Sequence, residues 1–376
     1  MLQDPDKHMT RKYRIAIGLC ISAASVFFLF AVLEVYLRVT IDDPAELEAG
    51  LTFNRSQSTK YFQRIFLDTY DSSEGMGNLS HDSYLGWDYN VENGRARESD
   101  TSTPDLRGEV STIIAIGDSF TFGSEVGPEE SFPYYLDDSI SNSKVLNMGV
   151  PGYGVDQAVL KYLKYASQME PNVLVFGILP DDYHRASNSF RSFSKPVFKF
   201  NEESNSVELT NTDIKPPQEV FDDLSRSLRP PKLYSLAFLK NRITKAYWRV
   251  NSGAEERYYR DTDVLVEHAF LQLLESTEAT NTELLIVQIP RGIRFSSDEH
   301  LSWARSYRAR THLLELYEKL EIPYLDLIEE FTDDYPREQI FNDFYIYKAE
   351  TSRGHFTPRG NLVVAQLIEE RLENLQ

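Results

Sequence analysis

The sequence predicts an α/β fold, a parallel sheet covered by helices on both faces, preceded by one N-terminal transmembrane helix. Three observations carry that prediction. Short, wholly apolar runs recur along the chain and alternate with segments of helical spacing, the pattern of strands buried on both faces between crossover helices. The chain closes with a sharply bounded amphipathic helix, and residues 15–33 form an uncharged run of 19 residues near the N-terminus.

The N-terminal run, IAIGLCISAASVFFLFAVL, is apolar on every face. At about 1.5 Å per residue it spans roughly the 30 Å hydrocarbon core of a bilayer. Lys7, Arg11, Lys12 and Arg14 precede it, whereas Arg38 is followed by Asp42, Asp43, Glu46 and Glu48. The positive-inside rule therefore makes residues 1–14 a cytoplasmic tail and residues 15–37 a membrane helix, with everything beyond outside the cytoplasm. The run is longer than the core of about 7 to 15 residues typical of a cleaved signal, and no small-residue cleavage site follows it, which favours an uncleaved anchor.

Residues 38–110 are polar and mixed and read as a juxtamembrane stalk and lead-in. The α/β domain is expected over 111–376. Its buried strands are TIIAI (112–116), VLNM (145–148), VLVFGIL (173–179) and LLIVQI (284–289), the last stopped by Pro290. Residues 131–140 and 156–168 carry helical spacing between them. Residues 195–255, punctuated by Lys195-Pro196, Lys215-Pro216-Pro217 and Arg229-Pro230-Pro231, read as an insertion that forms a lid or a substrate-facing subdomain. In the closing helix Thr357 can cap, Pro358 fits the first turn, and Leu362, Val363, Leu367, Ile368 and Leu372 give a core face.

Composition narrows the function. With 41% hydrophobic residues the chain of 376 residues can bury a large core. Its formal charge of −19, from 39 basic and 58 acidic residues, makes nucleic acid and an anionic lipid surface poor partners. Cys20 is the single cysteine, which excludes an intrachain disulfide and a Cys-ligated metal site.

Three motifs carry chemistry. In IIAIGDSFTFG (113–123) a buried strand runs into Gly117-Asp118-Ser119. Glycine permits a sharp turn, and a serine at the start of the following helix has an exposed hydroxyl and a backbone N–H suited to an oxyanion. As a nucleophile it is Ser119; as a cap it is a turn residue. In NMGVPGYG (147–154) three glycines follow the next strand, so Gly149 is a candidate oxyanion donor with Gly152 as its rival. In GHFTP (354–358) His355 occupies a loop ahead of the last helix, where it can act as base for a serine from a distant strand. His184 beside Asp181 and Asp182 looks like a metal cluster, but a lone His with two adjacent acids is usually a solvated turn, and no metal or cofactor is expected. Arg185, Arg191 and Lys195, with Phe190 and Phe193 between them, read either as a sugar or carboxylate site or as an amphipathic surface.

Taken together, the three ordered motifs resemble the SGNH (GDSL-type) hydrolases, in their membrane-anchored bacterial branch, from about residue 86 to residue 375. Gly117-Asp118-Ser119-Phe120 matches the nucleophile block, Gly149 the glycine block and His355 the base block, and Glu34 and Arg38 at the end of the membrane helix also look like that branch. The resemblance implies a flavodoxin-like three-layer α/β/α sandwich in which Ser119 attacks an ester carbonyl, His355 takes its proton, and the Ser119 and Gly149 amides hold the oxyanion. Two positions depart from the family pattern. Its oxyanion Asn has no counterpart in LPDDYHR (179–185), where Asp182 is the nearest match and Asp181 its rival; an ionised carboxylate cannot donate, so Arg185 would have to neutralise it or receive the anion. The family's Asp ahead of the base is replaced by Ser352 and Arg353, leaving Glu350 or Asp343 to orient His355, or a Ser-His dyad with a backbone carbonyl.

The expected function is an extracytoplasmic serine esterase, held in the lipid bilayer by its N-terminal helix, that removes or transfers O-acyl groups, foremost acetyl, on an envelope or secreted polysaccharide. The competing expectation is a catalytically weak or inactive SGNH-fold module that binds glycan or assembles a polysaccharide export or modification complex.

Overall fold

The computed structural model describes residues 5–42, 47, 59–70, 79–89, 111–201, 203–228, 231–250, 252–296, 301–349 and 352–374. In chain order the helices are α1 (Pro5–Thr40), α2 (Thr59–Thr69), α3 (Ser119–Phe122), α4 (Phe132–Ser139), α5 (Val155–Lys161), α6 (Pro180–Arg185), α7 (Pro217–Ser227), α8 (Tyr234–Val250), α9 (Ser252–Ala279), α10 (Leu301–Lys319), α11 (Leu327–Asp334), α12 (Arg337–Gln339) and α13 (Pro358–Glu373). The strands are β1 (Leu79–Asp82), β2 (Gly86–Tyr89), β3 (Ser111–Gly117), β4 (Ser143–Asn147), β5 (Val173–Ile178), β6 (Val197–Asn201), β7 (Ser206–Thr210), β8 (Glu283–Gln288), β9 (Tyr324–Asp326), β10 (Tyr345–Ala349) and β11 (Ser352–Phe356).

The four apolar runs read from the sequence become β3, β4, β5 and β8, and β9 joins them in a five-stranded sheet of order β4-β3-β5-β8-β9. All four pairings are parallel. Counted from its first strand this is the 2-1-3-4-5 order of flavodoxin-like sheets. Alternate side chains feed two cores, as the two-residue period of a strand requires. Ile114, Ile116, Leu174 and Phe176 face one side, with Val159, Phe270 and Leu313 from α5, α9 and α10. Ile113, Val145, Val175 and Val287 face the other, with Leu136, Phe331 and Ile368 from α4, α11 and α13. The result is a three-layer α/β/α sandwich.

The lead-in contains structure that its polarity conceals. β1 and β2 form an antiparallel hairpin whose Leu85 and Trp87 are completely buried. Trp87 donates its indole N–H to the Pro151 carbonyl at 3.1 Å, Tyr153 donates to the Trp87 carbonyl at 2.5 Å, and Gln157 donates to the Leu85 carbonyl at 2.8 Å. Asp88 meets Lys161 at 2.7 Å, both buried. The hairpin thus braces the glycine-rich loop after β4. Within 195–255, β6 and β7 pair as an antiparallel hairpin followed by α7 and α8.

α1 carries one segment, Tyr13–Thr40, long and apolar enough to cross a membrane. α13 begins as its sequence predicts: the Thr357 hydroxyl accepts from the Gly360 N–H at 3.1 Å, and Pro358 occupies the first turn.

Candidate active site

In an open 2-1-3-4-5 sheet the crevice at the carboxyl ends of the strands opens where the chain order reverses, here between β3 and β5. Ser119 emerges there. Gly117 ends β3 with φ +149°, and a Cβ on it would lie 2.3 Å from Thr121 Oγ1 and 2.5 Å from the Gly177 carbonyl oxygen, so only glycine fits. Asp118 then caps the short α3 turn by accepting the Phe120 N–H at 2.9 Å. The Ser119 hydroxyl points outward to His355, Nε2 to Oγ 2.8 Å.

His355 lies not in a loop but near the end of β11, which pairs antiparallel with β10. Phe356, buried against Phe120 with ring centroids 5.0 Å apart, fixes the strand over α3. The other ring nitrogen, Nδ1, is 3.0 Å from Oε2 of Glu125, and the same oxygen accepts the His355 backbone N–H at 3.0 Å. Glu125 is also paired with Lys348 of β10. Its partial burial opposes ionisation, but the bonds from Lys348 and His355 outweigh this and hold its carboxyl at about 2. Glu125 is therefore an ionised acceptor. That fixes the imidazole tautomer: Nδ1 carries the proton, and the Nε2 lone pair faces the serine hydroxyl.

The carboxylate that meets His355 Nδ1 is thus one that the sequence reading did not name. Asp343 bonds Arg359 at 2.9 Å and its carbonyl accepts from Thr357, while Glu350 lies outside the described residues. Arg353, two residues ahead of His355, turns away to the Phe341 carbonyl and Asn342. Glu125 was missed because a lone glutamate in GSEVG carries no spacing signal. Its one mark is conformational, a non-glycine φ of +74° two residues after Gly123.

Gly149 plays a packing part. Its N–H donates to Asn147 Oδ1 at 3.1 Å, and a Cβ on it would come within 2.5 Å of the Phe122 nitrogen. Asn147 Nδ2 in turn donates to the Thr121 and Phe122 carbonyls at 3.0 and 3.3 Å. Gly117, Gly149 and Gly177 all close on Thr121, so these glycines seat the turn that carries Ser119. Among the described residues the Ser119 N–H has no acceptor. Gly152 has φ +87°, and a Cβ on it would lie 2.7 Å from Ser192 Oγ and 3.9 Å from Arg191 Cγ.

The two adjacent acids after β5 part company. Asp182 is buried and accepts the Leu179 N–H at 2.9 Å and Arg185 at 2.6 Å, so it caps α6. Burial and the nearby Asp118 push its pKa well up. Asp181 sits 3.4 Å from Arg291; burial opposes its charge, but Arg291 and Arg185 hold its pKa down. Arg185 Nη1 also bonds Asp118 Oδ2 at 3.0 Å and the Tyr153 carbonyl at 2.8 Å. Asp118 Oδ2 is 3.3 Å from Ser119 Oγ, so Arg185 sets its positive charge beside the carboxyl group nearest Ser119, and its Nε is buried without a hydrogen-bond partner.

Other sequence candidates are structural. His184 stacks on Tyr258 with Nδ1 2.8 Å from its hydroxyl, and among the described residues no group of three metal-ligating side chains occurs. Lys195, Phe190 and Phe193 are core residues rather than a sugar site or a surface; Lys195 is fully buried against Asp156 and donates to the Asn188 carbonyl at 3.0 Å.

No protein-family model matches the chain, and no curated protein matches it. Among solved structures it is similar to a member of the lipolytic protein G-D-S-L family from Veillonella parvula (13% identity, 69% of this chain and 97% of that chain, TM-score 0.39). It is likewise similar to the acetyl xylan esterase AlAXEase (13%, 69% and 98%, 0.41) and to a catalytic variant of an acetylxylan esterase from Geobacillus stearothermophilus (12%, 69% and 93%, 0.38).

Proposed function

We propose that this chain is a membrane-anchored serine ester hydrolase of the SGNH type, its catalytic domain outside the cytoplasm. The observation that carries the reading is the continuous relay Ser119–His355–Glu125, with 2.8 Å and 3.0 Å links and a tautomer fixed by an ionised acid. His355 Nε2 takes the proton as Ser119 Oγ attacks the ester carbonyl, and Glu125 stabilises the imidazolium that forms. The Ser119 N–H receives charge developing on the carbonyl oxygen, with Arg185 supplying positive potential behind Asp118. The imidazolium returns its proton to the leaving alcohol, and water repeats the cycle on the acyl-enzyme.

The complete relay favours catalysis over a glycan-holding role. The substrate assigned to it is O-acetylated carbohydrate of the envelope or its secretions, because an anchored extracytoplasmic domain works on esters there. The full-length protein in detergent should hydrolyse an activated acetyl ester in preference to long acyl chains, and lose this in Ser119→Ala and His355→Ala. It should also be labelled at Ser119 by a serine-reactive phosphonate. An unlabelled protein, or activity unchanged in Ser119→Ala, overturns the reading. Product appearing on an added acceptor sugar, rather than as free acetate, would make it a transferase.

A further inference from the structure

The charge of the chain is unevenly spread. From residue 224 to residue 254 there are seven cationic residues, Arg226, Arg229, Lys232, Lys240, Arg242, Lys245 and Arg249, and no acidic one, in a protein of net charge −19. Helix α8 occupies the middle of that stretch.

The start of α8 is tied to the point where the apolar run of α1 ends. Glu34 accepts the Tyr234 N–H at 3.0 Å and the Ser235 N–H and hydroxyl at 2.7 Å each. Arg38 donates to the Lys232 carbonyl at 2.7 Å and lies over the Tyr234 ring, 4.5 Å from its centroid. A helix that begins where a membrane span ends begins at the membrane surface.

α8 is also amphipathic, with an apolar stripe that stays exposed. Ser235 and Asn241 are buried, Asn241 on the Leu47 carbonyl at 2.8 Å. Leu236, Ile243, Tyr247 and Val250 are 59%, 68%, 49% and 86% exposed. At 3.6 residues per turn these four fall within about 60° of one another, a single stripe. Lys240, Arg242 and Lys245 are exposed around the same helix. An apolar stripe with a cationic remainder and no acid is the composition of a helix that lies in the headgroup layer of an anionic bilayer.

We infer that α8 is an interfacial helix: it lays Leu236, Ile243, Tyr247 and Val250 into the bilayer that holds α1 and sets its cations against anionic lipid headgroups. This rests on the membrane reading of α1. It also reverses, for one segment, the repulsion that the net charge implies for the whole chain. With α1 and α8 both seated, the catalytic domain is held in one orientation rather than swinging on a stalk.

The test uses the full chain with Cys20→Ser, reconstituted into bilayers of equimolar phosphatidylcholine and phosphatidylglycerol. Single cysteines at Leu29 in the span, Ile243 on the stripe and Glu318 on α10 carry a fluorophore, and doxyl-labelled lipid is the quencher. Strong quenching at Leu29 and Ile243 with none at Glu318 is expected. Replacing phosphatidylglycerol by phosphatidylcholine, or Lys240, Arg242 and Lys245 by glutamine, should weaken the quenching at Ile243 alone. Quenching at Leu29 but not at Ile243 overturns the inference and leaves the anchor standing. No quenching at Leu29 overturns the anchor and the inference with it. Quenching at Ile243 that ignores lipid charge overturns the assignment of anionic headgroups.

Discussion

A single carboxylate oxygen, Oε2 of Glu125, accepts both the ring N–H and the backbone N–H of His355, each at 3.0 Å. Ser119 and Glu125 therefore belong to one seven-residue stretch, 119–125, and only His355 arrives from elsewhere. The relay is assembled when the β10–β11 hairpin docks, with Lys348 gripping the far side of the same carboxylate.

Removing the charge while keeping the shape tests this arrangement. Glu125→Gln puts an amide that can donate where an acceptor stood, which favours the wrong imidazole tautomer. The expected loss in kcat is about a thousandfold or more, as for other relays robbed of their acid. KM for an activated acetyl ester and the phosphonate-accessible Ser119 should be retained. An activity within about threefold of wild type would mean that Glu125 orients nothing.

Gly354 is what lets Glu125 approach the strand. A Cβ there would lie 2.4 Å from Glu125 Oε2 and 2.8 Å from Lys348 Cε. Gly354→Ala should push the carboxylate off Nδ1, and displacing a catalytic group by about 1 Å costs roughly a hundredfold. Steady-state kinetics beside a thermal melt separates this from unfolding, since the melt should move little.

The low pKa of Glu125 gives a pH signature. Its carboxyl is held at about 2 against an ordinary value of 4.5, so the folded state binds this proton later than the unfolded chain. The stability it contributes is complete above about pH 4.5 and is lost as the pH falls toward 2. Lys348→Met removes the first of the bonds that hold the value down. Denaturant unfolding at successive pH values should show the variant's stability departing less steeply over that window than wild type. Equal slopes would contradict the assignment.

Which parts of this were legible in the sequence follows from the range of the interactions. The parallel strands announced themselves because both faces of each are buried, so TIIAI and LLIVQI need no partner to be recognised. Ser119 and His355 were legible because each sits beside glycines that only a tight turn or close approach explains. Glu125 was not, because its meaning lies in His355, 230 residues away. The same holds for the β1–β2 hairpin: LSHDSYLGWDY is polar, yet Asp88 and Trp87 are buried because Lys161 and the glycine-rich loop receive them. Gly149 was legible as a required glycine but not for its reason, which is the closeness of Thr121 and Phe122.

Lys195 is the sharpest case of a residue whose burial the sequence hides, and it gives the last prediction. Among charged neighbours and ahead of a proline it looks like a surface residue, yet it is completely buried on Asp156, which is buried too. Burial pushes the lysine pKa down and the aspartate pKa up, so each stays charged only through the other. Lys195→Met strands a buried carboxylate, and breaking such a pair from one side costs about 3 to 5 kcal/mol. Lys195→Met with Asp156→Leu removes both charges and should recover much of that loss, because the pair's attraction is offset by the cost of dehydrating it. Arg226→Ala, on an exposed ion pair, should change stability by no more than about 0.5 kcal/mol. Urea unfolding of the three variants reads all of this. A single Lys195 variant as stable as the Arg226 variant would return Lys195 to the surface, whereas a double variant no better than the single would mean that the pair is worth more than its dehydration.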